Sequence, residues 1–294
     1  MRPIVSRVDD AFRHVTGLGV AEWHRVSRGT IQRSRRQRLA LVAAGWAFWA
    51  AISLFPSLIV LITVYGLLAE AEEVQRQVGV ILGSVSSEVR TLITRELRHV
   101  VRSSGGWGLV FGLAALLWTA SSGMANAIKA VALAYGEAES RSFLRLRALA
   151  LLSTVGALLV VGSAIALVAI VPATLSDATG ATGLVVGALR WGGLIVLLTI
   201  GITILYRFSP QSRHGGWHWA VKAAVLVSIG WAGVTATFSV YIRNFSSYAN
   251  TYGALAGFII LMLWLYLSAF LVVTGAAVGA EMWRVGENER DAAR

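Results

Sequence analysis

Residues 39–68 read LALVAAGWAFWAAISLFPSLIVLITVYGLL, thirty residues without a single charge. A helix rises 1.5 Å per residue, so about 20 such residues cross a hydrocarbon core roughly 30 Å thick. This stretch is long enough with some to spare. Pro56 removes a backbone donor inside it and is expected to bend that helix.

Five further apolar stretches of spanning length follow, at about 107–128, 149–171, 188–206, 219–241 and 252–278. The reading is an all-α, polytopic integral membrane bundle of six transmembrane helices. A basic tail over 1–38 precedes a membrane domain over 39–283, and a short tail over 284–294 follows. Composition agrees. Apolar residues make up 56% of the 294, only 14% are charged, and mean hydropathy is +0.67. A soluble domain is nearer one quarter charged. The 11 Trp suit bilayer interfaces, where an indole buries its ring and keeps its N–H wet.

Charge placement sets the expected orientation. Nine of the 26 basic residues precede residue 39. Lys129, Arg141, Arg145 and Arg147 lie between spans two and three, and Arg207, Arg213 and Lys222 between spans four and five. Of the alternate loops, the two short ones carry only Arg190 and Arg243, and the long one over 69–106 balances five Arg against five Glu and hardly votes. By the positive-inside rule both termini are expected in the cytoplasm. The net charge of +11 thus points to anionic phospholipids at the cytoplasmic face, not to nucleic acid.

Two segments outside the spans carry helical periodicity. Val74, Val78, Ile81, Val85, Val89, Leu92 and Val100 predict amphipathic helices in the first extracytoplasmic loop, either as a packed connector or as a moving gate. Val5, Val8, Phe12 and Val15 predict another in the N-terminal tail. The first apolar run is too long for a cleaved signal.

The motifs of catalysis are missing. There are no cysteines, and no phosphate-binding loop or Gly-x-Ser-x-Gly elbow occurs. The histidines at 14, 24, 99, 214 and 218 are scattered, and no carboxylate near His214 and His218 completes a zinc site. No cofactor is expected, and no enzymatic activity.

Small residues recur at four-residue spacing in Gly108/Gly112, Gly253/Gly257 and Gly275/Gly279, a pattern that lets helix backbones approach closely in lipid. Polar groups gather at span ends: Asn126 and Lys129 close span two, Lys222 opens span five and Glu281 closes span six. Glu281 is expected to pair with Lys129 or Lys222 if those ends meet.

Three passages carry a family likeness. They are Ser53-Leu54-Phe55-Pro56 in span one; Leu117-Trp118-Thr119-Ala120-Ser121-Ser122-Gly123, running on to Ala134-Tyr135-Gly136 and Arg141-Ser142-Phe143; and Thr251-Tyr252-Gly253-Ala254-Leu255 with Leu263-Trp264-Leu265-Tyr266 and Gly279-Ala280-Glu281. Together they resemble the YihY/BrkB family of bacterial inner-membrane proteins, historically mislabelled ribonuclease BN. The likeness covers about residues 39–284. It departs at Met282, where the family more often has asparagine. It implies six spans, a cytoplasmic N-terminus and no securely established activity, with transport of lipids or small solutes discussed for some members.

Two functions compete: a transporter or flippase-like exporter of lipids or anionic solutes without its own ATPase, and a non-transporting scaffold for envelope maintenance. A ribonuclease would need a cluster of metal-binding carboxylates or an acid–base pair facing the cytosol, and the short polar segments supply neither. For transport, Pro56 would bend its helix, Asn126 and Lys129 would meet the cargo's polar end, and Glu281 would balance charge. Tyr248, Asn250 and Tyr252 would line the outer mouth. The expected partners are membrane lipids, a lipid or small-solute cargo, and a second copy of the chain.

Overall fold

The computed structural model describes residues 19–68, 106–174, 181–211, 216–244 and 254–292. The periodic segments of the first long loop and of residues 5–15 lie outside the described residues, as do Tyr248, Asn250, Tyr252 and His214. Seven helices are described: α1 (Val20–Arg36), α2 (Leu39–Leu68), α3 (Gly106–Ala134), α4 (Phe143–Thr174), α5 (Ala181–Phe208), α6 (Trp217–Asn244) and α7 (Ala254–Ala292). From α2 onward each is long and apolar enough to cross a membrane, so the described residues form an all-α polytopic membrane bundle with six candidate spans.

The six form a closed ring in chain order, α7 returning to pack on α2. Contacts across the ring join α7 to α3, α3 to α5 and α2 to α4. The predicted first span matches α2 to the residue. The others run past their apolar stretches, α7 continuing to Ala292. Hydropathy marks where lipid ends, whereas local backbone chemistry marks where a helix ends. At α3 that chemistry is Gly136, whose φ of +90° lets its N–H bond to Leu133 C=O at 2.8 Å and the Glu137 N–H to Ala132 C=O at 3.0 Å.

Helix α2 stays helical through Pro56. Just before it, Ser53 is buried against α3, and its Oγ accepts the Gly123 N–H at 2.8 Å. A Cβ on Gly123 would fall 2.8 Å from that oxygen and 3.0 Å from Ser53 Cβ. Two of the three passages that carry the family likeness therefore meet at this crossing. In lipid the only drives available are close packing and interhelical hydrogen bonds, and Gly123 supplies both. Gly123→Val is expected to separate α2 from α3 and to cost about 2–3 kcal/mol, seen as a lowered Tm in detergent. An unchanged Tm would show that the crossing does not depend on the missing side chain.

Packing is uneven along the ring. The main buried cluster gathers Ala130, Val131 and Ala134 of α3, Ile202 and Tyr206 of α5, Ala220, Ala223, Ala224 and Val227 of α6, and Val273, Ala276 and Ala277 of α7, with Leu39 of α2. All sit toward one end, the end that holds α1 and most of the chain's described cations. In the other half, no described residue is fully buried in 110–119, 155–167, 187–201, 229–237 or 257–268. Ile59 and Val60 of α2, with Phe238 and Ala256, are the exceptions there. Full burial is concentrated at the basic end of the ring.

Candidate functional site

The basic end is where the polar groups converge. Helix α1 begins at Gly19, whose N–H donates to the Glu22 carboxylate, and it ends at a two-residue turn with Arg38 at φ +51°. That turn folds the basic run back against α7, burying Val26 with Met282 and Val285, flanked by Trp23 and Trp219. The expected basic tail is thus, from Val20 on, a packed helix of the bundle.

This docking creates a buried ion pair. Glu281 is 3% exposed in its side chain and Arg33 18%. Arg33 Nη2 lies 2.8 Å from Glu281 Oε1 and its Nε donates to the same oxygen at 2.9 Å. Arg284 approaches Oε2 at 2.8 Å from the solvent side, close enough for Coulomb attraction but not aligned as a hydrogen bond. Gly29 makes the fit possible, since a Cβ there would stand 2.5 Å from Oε2. Arg33 Nη1 also donates to Ala134 C=O at 3.4 Å, tying the end of α3 to the same pair.

The expected partners of Glu281 were Lys129 or Lys222. The structure places both elsewhere. Lys129 is exposed on the outer face of α3, and Lys222 Nζ lies 5.0 Å from the centre of the Trp219 ring. A helix that folds back from the N-terminus reaches Glu281 first. Asn126 donates to Ser122 C=O at 2.8 Å one turn back on its own helix.

Beside the latch, the two cation-rich loops clasp each other. Arg141 Nη2 donates to the Phe208 and Pro210 carbonyls at 3.1 and 3.2 Å, capping the end of α5. The Gln211 N–H donates to Glu137 at 2.6 Å, and Ser140 Oγ to Gln211 Oε1, also at 2.6 Å. Loops that charge alone assigned to one side are physically joined.

Next to the latch, within the main buried cluster, lies a floor. Tyr206 is fully buried, and its hydroxyl donates to Val272 C=O at 2.5 Å. Tyr135 stands edge-on to it, ring centres 6.5 Å apart. Burial pushes the Tyr135 hydroxyl well above the usual phenol range, so it stays neutral. Gly275 and Gly279 let α7 close onto this pair and onto α6. Beyond the floor, side-chain hydrogen bonds join neighbouring helices: Thr199 Oγ1 contacts Ser228 Oγ at 3.0 Å, and Trp231 Nε1 donates to Ser268 Oγ at 3.0 Å beside Trp264.

Among the described residues no three His, Asp or Glu side chains gather as metal ligands would. What the arrangement offers is a tightly packed polar end and a buried charge latch. Of the expected site residues, Glu281 joins the latch, Asn126 and Lys129 share one face of α3, and Pro56 stays in α2 away from them. Arg33, Arg284 and Gly29 were missed. Arg33 looked like one cation among nine, and only the helical stretch following Gly19 hinted that it is held in place.

Comparison with known proteins gives a consistent picture. A family model described as virulence factor BrkB matches residues 30–294. A Bacillus subtilis protein named ribonuclease-like protein YfkH is 31% identical over 244 residues, 81% of this chain and 88% of its own length. A UPF0761 membrane protein of Tolumonas auensis is 36% identical over 106 residues, 34% of this chain and 35% of its own. One of Xanthomonas oryzae is 39% identical over 87 residues, 28% and 19% of the two chains. No solved structure matches.

Proposed function

This chain belongs to the virulence factor BrkB family, and on that premise we propose that it carries lipids or anionic small solutes across a bacterial inner membrane, with both termini in the cytoplasm and without an ATPase of its own. The observation that carries the reading is the one-sided closure of the ring. A scaffold gains from filling its core throughout, because every void forfeits dispersion contacts. A carrier needs space on one side of a seal, and the buried cluster is confined to the basic end. The latch and the clasped loops would hold that seal, and the indoles and hydroxyls above it suit an amphiphile. Pro56, Asn126, Lys129 and Glu281 stay in the proposal as movable or charge-bearing parts, and Tyr248, Asn250 and Tyr252 as the outer mouth.

Proteoliposomes test it. With fluorescent phosphatidylglycerol in both leaflets and a membrane-impermeant quencher outside, the protein should raise the quenchable fraction from about half toward completeness. Folded protein that moves neither this lipid nor a panel of anionic metabolites would sink the proposal. Orientation is tested separately on the cysteine-free chain. Arg28→Cys on the exposed side of α1 should react with an impermeant maleimide in inverted vesicles and not in intact cells.

A scaffold is the second reading, favoured by the scarcity of ionisable groups. In the described spans the only carboxylates are Glu281 and Glu287, both toward the basic end of α7, whereas ion-coupled carriers commonly use carboxylates near mid-membrane. Hydrolysis of RNA is not part of either reading, because Glu137, Glu139 and Glu281 are engaged in ion pairs and loop hydrogen bonds. Cleavage of tRNA by purified protein, abolished by Glu137→Gln or Glu281→Gln, would reverse that.

A further inference from the structure

On the outside of the ring, α3 turns one polar stripe toward α4. Trp118, Ser122, Asn126 and Lys129 fall within about 80° of arc, because each step of three or four residues nearly completes a helical turn. Arg147, on the first turns of α4, reaches onto this stripe. Its Nη1 donates to Ser122 Oγ at 3.2 Å, Nη2 donates to Trp118 C=O, and its guanidinium lies 3.9 Å from the centre of the Trp118 ring.

Arg147 lies on the first turns of a candidate membrane-spanning helix, yet no carboxylate is paired with it or with Lys129 among the described residues. A carbonyl, a hydroxyl and an indole face reduce the cost of the charge without neutralising it, and Nε is left with no acceptor. Beside the guanidinium the surface is apolar and open. Trp118 is 48% exposed, Phe143 69% and Leu144 76%, with the Trp118 and Phe143 rings 6.4 Å apart. Lys129 sits seven residues along the stripe from Ser122, about 10 Å toward the basic end.

We propose that this groove between α3 and α4 binds the headgroup of an anionic phospholipid, the phosphate held by Arg147 and Lys129 and the acyl chains lying along Trp118, Phe143 and Leu144. The fork of a guanidinium matches a phosphate, and aromatic side chains settle at headgroup depth. A free phosphate would use the cations and gain nothing from the apolar flank, which is why the occupant is a lipid. Binding here requires no transport cycle, so a failure of the carrier reading leaves this site standing.

Native mass spectrometry of detergent-purified protein tests it, with phosphatidylglycerol and phosphatidylcholine of matched chains supplied in equal amounts. Wild type should retain phosphatidylglycerol preferentially. Lys129→Gln should reduce that retention roughly fivefold, the worth of one cation near a lipid headgroup, with phosphatidylcholine unaffected. Arg147→Gln should reduce it at least as much, and Arg147→Lys should restore part. Lys129 is exposed, so its variant keeps the fold, and its result decides the matter should Arg147→Gln not purify. Unchanged retention in Lys129→Gln would overturn the site. Displacement of the lipid by millimolar inorganic phosphate would reassign the groove to a soluble anion and equally overturn it.

Discussion

Glu281→Ala should lower the stability of the protein by about 3–5 kcal/mol, the usual cost of breaking a buried ion pair by removing one partner. The carboxylate is almost wholly buried and draws on Arg33 and Arg284 at once, while Gly29 has given up its side chain to admit it. Without it Arg33 faces a cavity and keeps only a 3.4 Å contact to Ala134 C=O. Arg33→Met should cost less, about 3 kcal/mol, because Arg284 still faces Oε2 and is free to move with its half-exposed chain. The double variant Arg33→Met with Glu281→Met is the decisive comparison. It removes both charges and fills their space with apolar atoms, so it should be more stable than either single variant. Thermal unfolding in detergent measures all three. The singles should also expose α1 to protease, since its apolar contacts with Met282 and Val285 are few. Costs below about 1 kcal/mol, or costs that simply add in the double variant, would remove the latch from any account of the fold.

The spans were legible because lipid imposes a simple rule, and residues 39–68 obey it without exception. Arg38 before and Glu70 after bracket an uncharged run, so the predicted span and α2 agree at both ends. Elsewhere the apolar stretch ended before the helix did. Helix α7 runs on through Glu281, Arg284 and Glu287, residues that hydropathy assigns to water but that an α-helix accommodates readily. The pairing of the cation-rich loops was legible in kind, since both were expected on one side. Its agents were not: Arg141, Gln211 and Glu137 are unremarkable in a polar loop until two helix ends meet. The latch was least legible. Arg33 and Glu281 are separated by 248 positions, and no periodicity connects them. Glu281 was singled out because an ionisable group near a membrane is costly, and that reasoning holds. It identifies a group that needs a partner without identifying the partner.

Small residues were legible as a class, and the two glycines of α7 that differ most set the second large effect. Gly275→Leu should abolish accumulation of folded protein, and even Gly275→Ala should lower its stability by about 3 kcal/mol or more, at or beyond the usual upper range for overpacking. A Cβ at Gly275 would lie 2.0 Å from Val227 Cγ2 and 2.7 Å from the Tyr206 hydroxyl. Moving α7 away to relieve both contacts would break the bond from Tyr206 to Val272 C=O and strand a buried hydroxyl, worth about 1 kcal/mol or more by itself. Gly279, one turn on, would resist any tilt toward α6, because a Cβ there already stands only 2.9 Å from Ala223 Cβ. Gly257 on the same helix is the matched control. A Cβ there meets nothing within 4 Å, and alanine favours a helix over glycine by up to about 1 kcal/mol, so Gly257→Ala should leave the Tm unchanged or raise it. The pair separates two causes that a single variant confounds. If both alanines destabilise alike, glycine serves backbone flexibility along α7. If only Gly275→Ala does, the close approach of α6 and α7 at the floor is what the sequence protects.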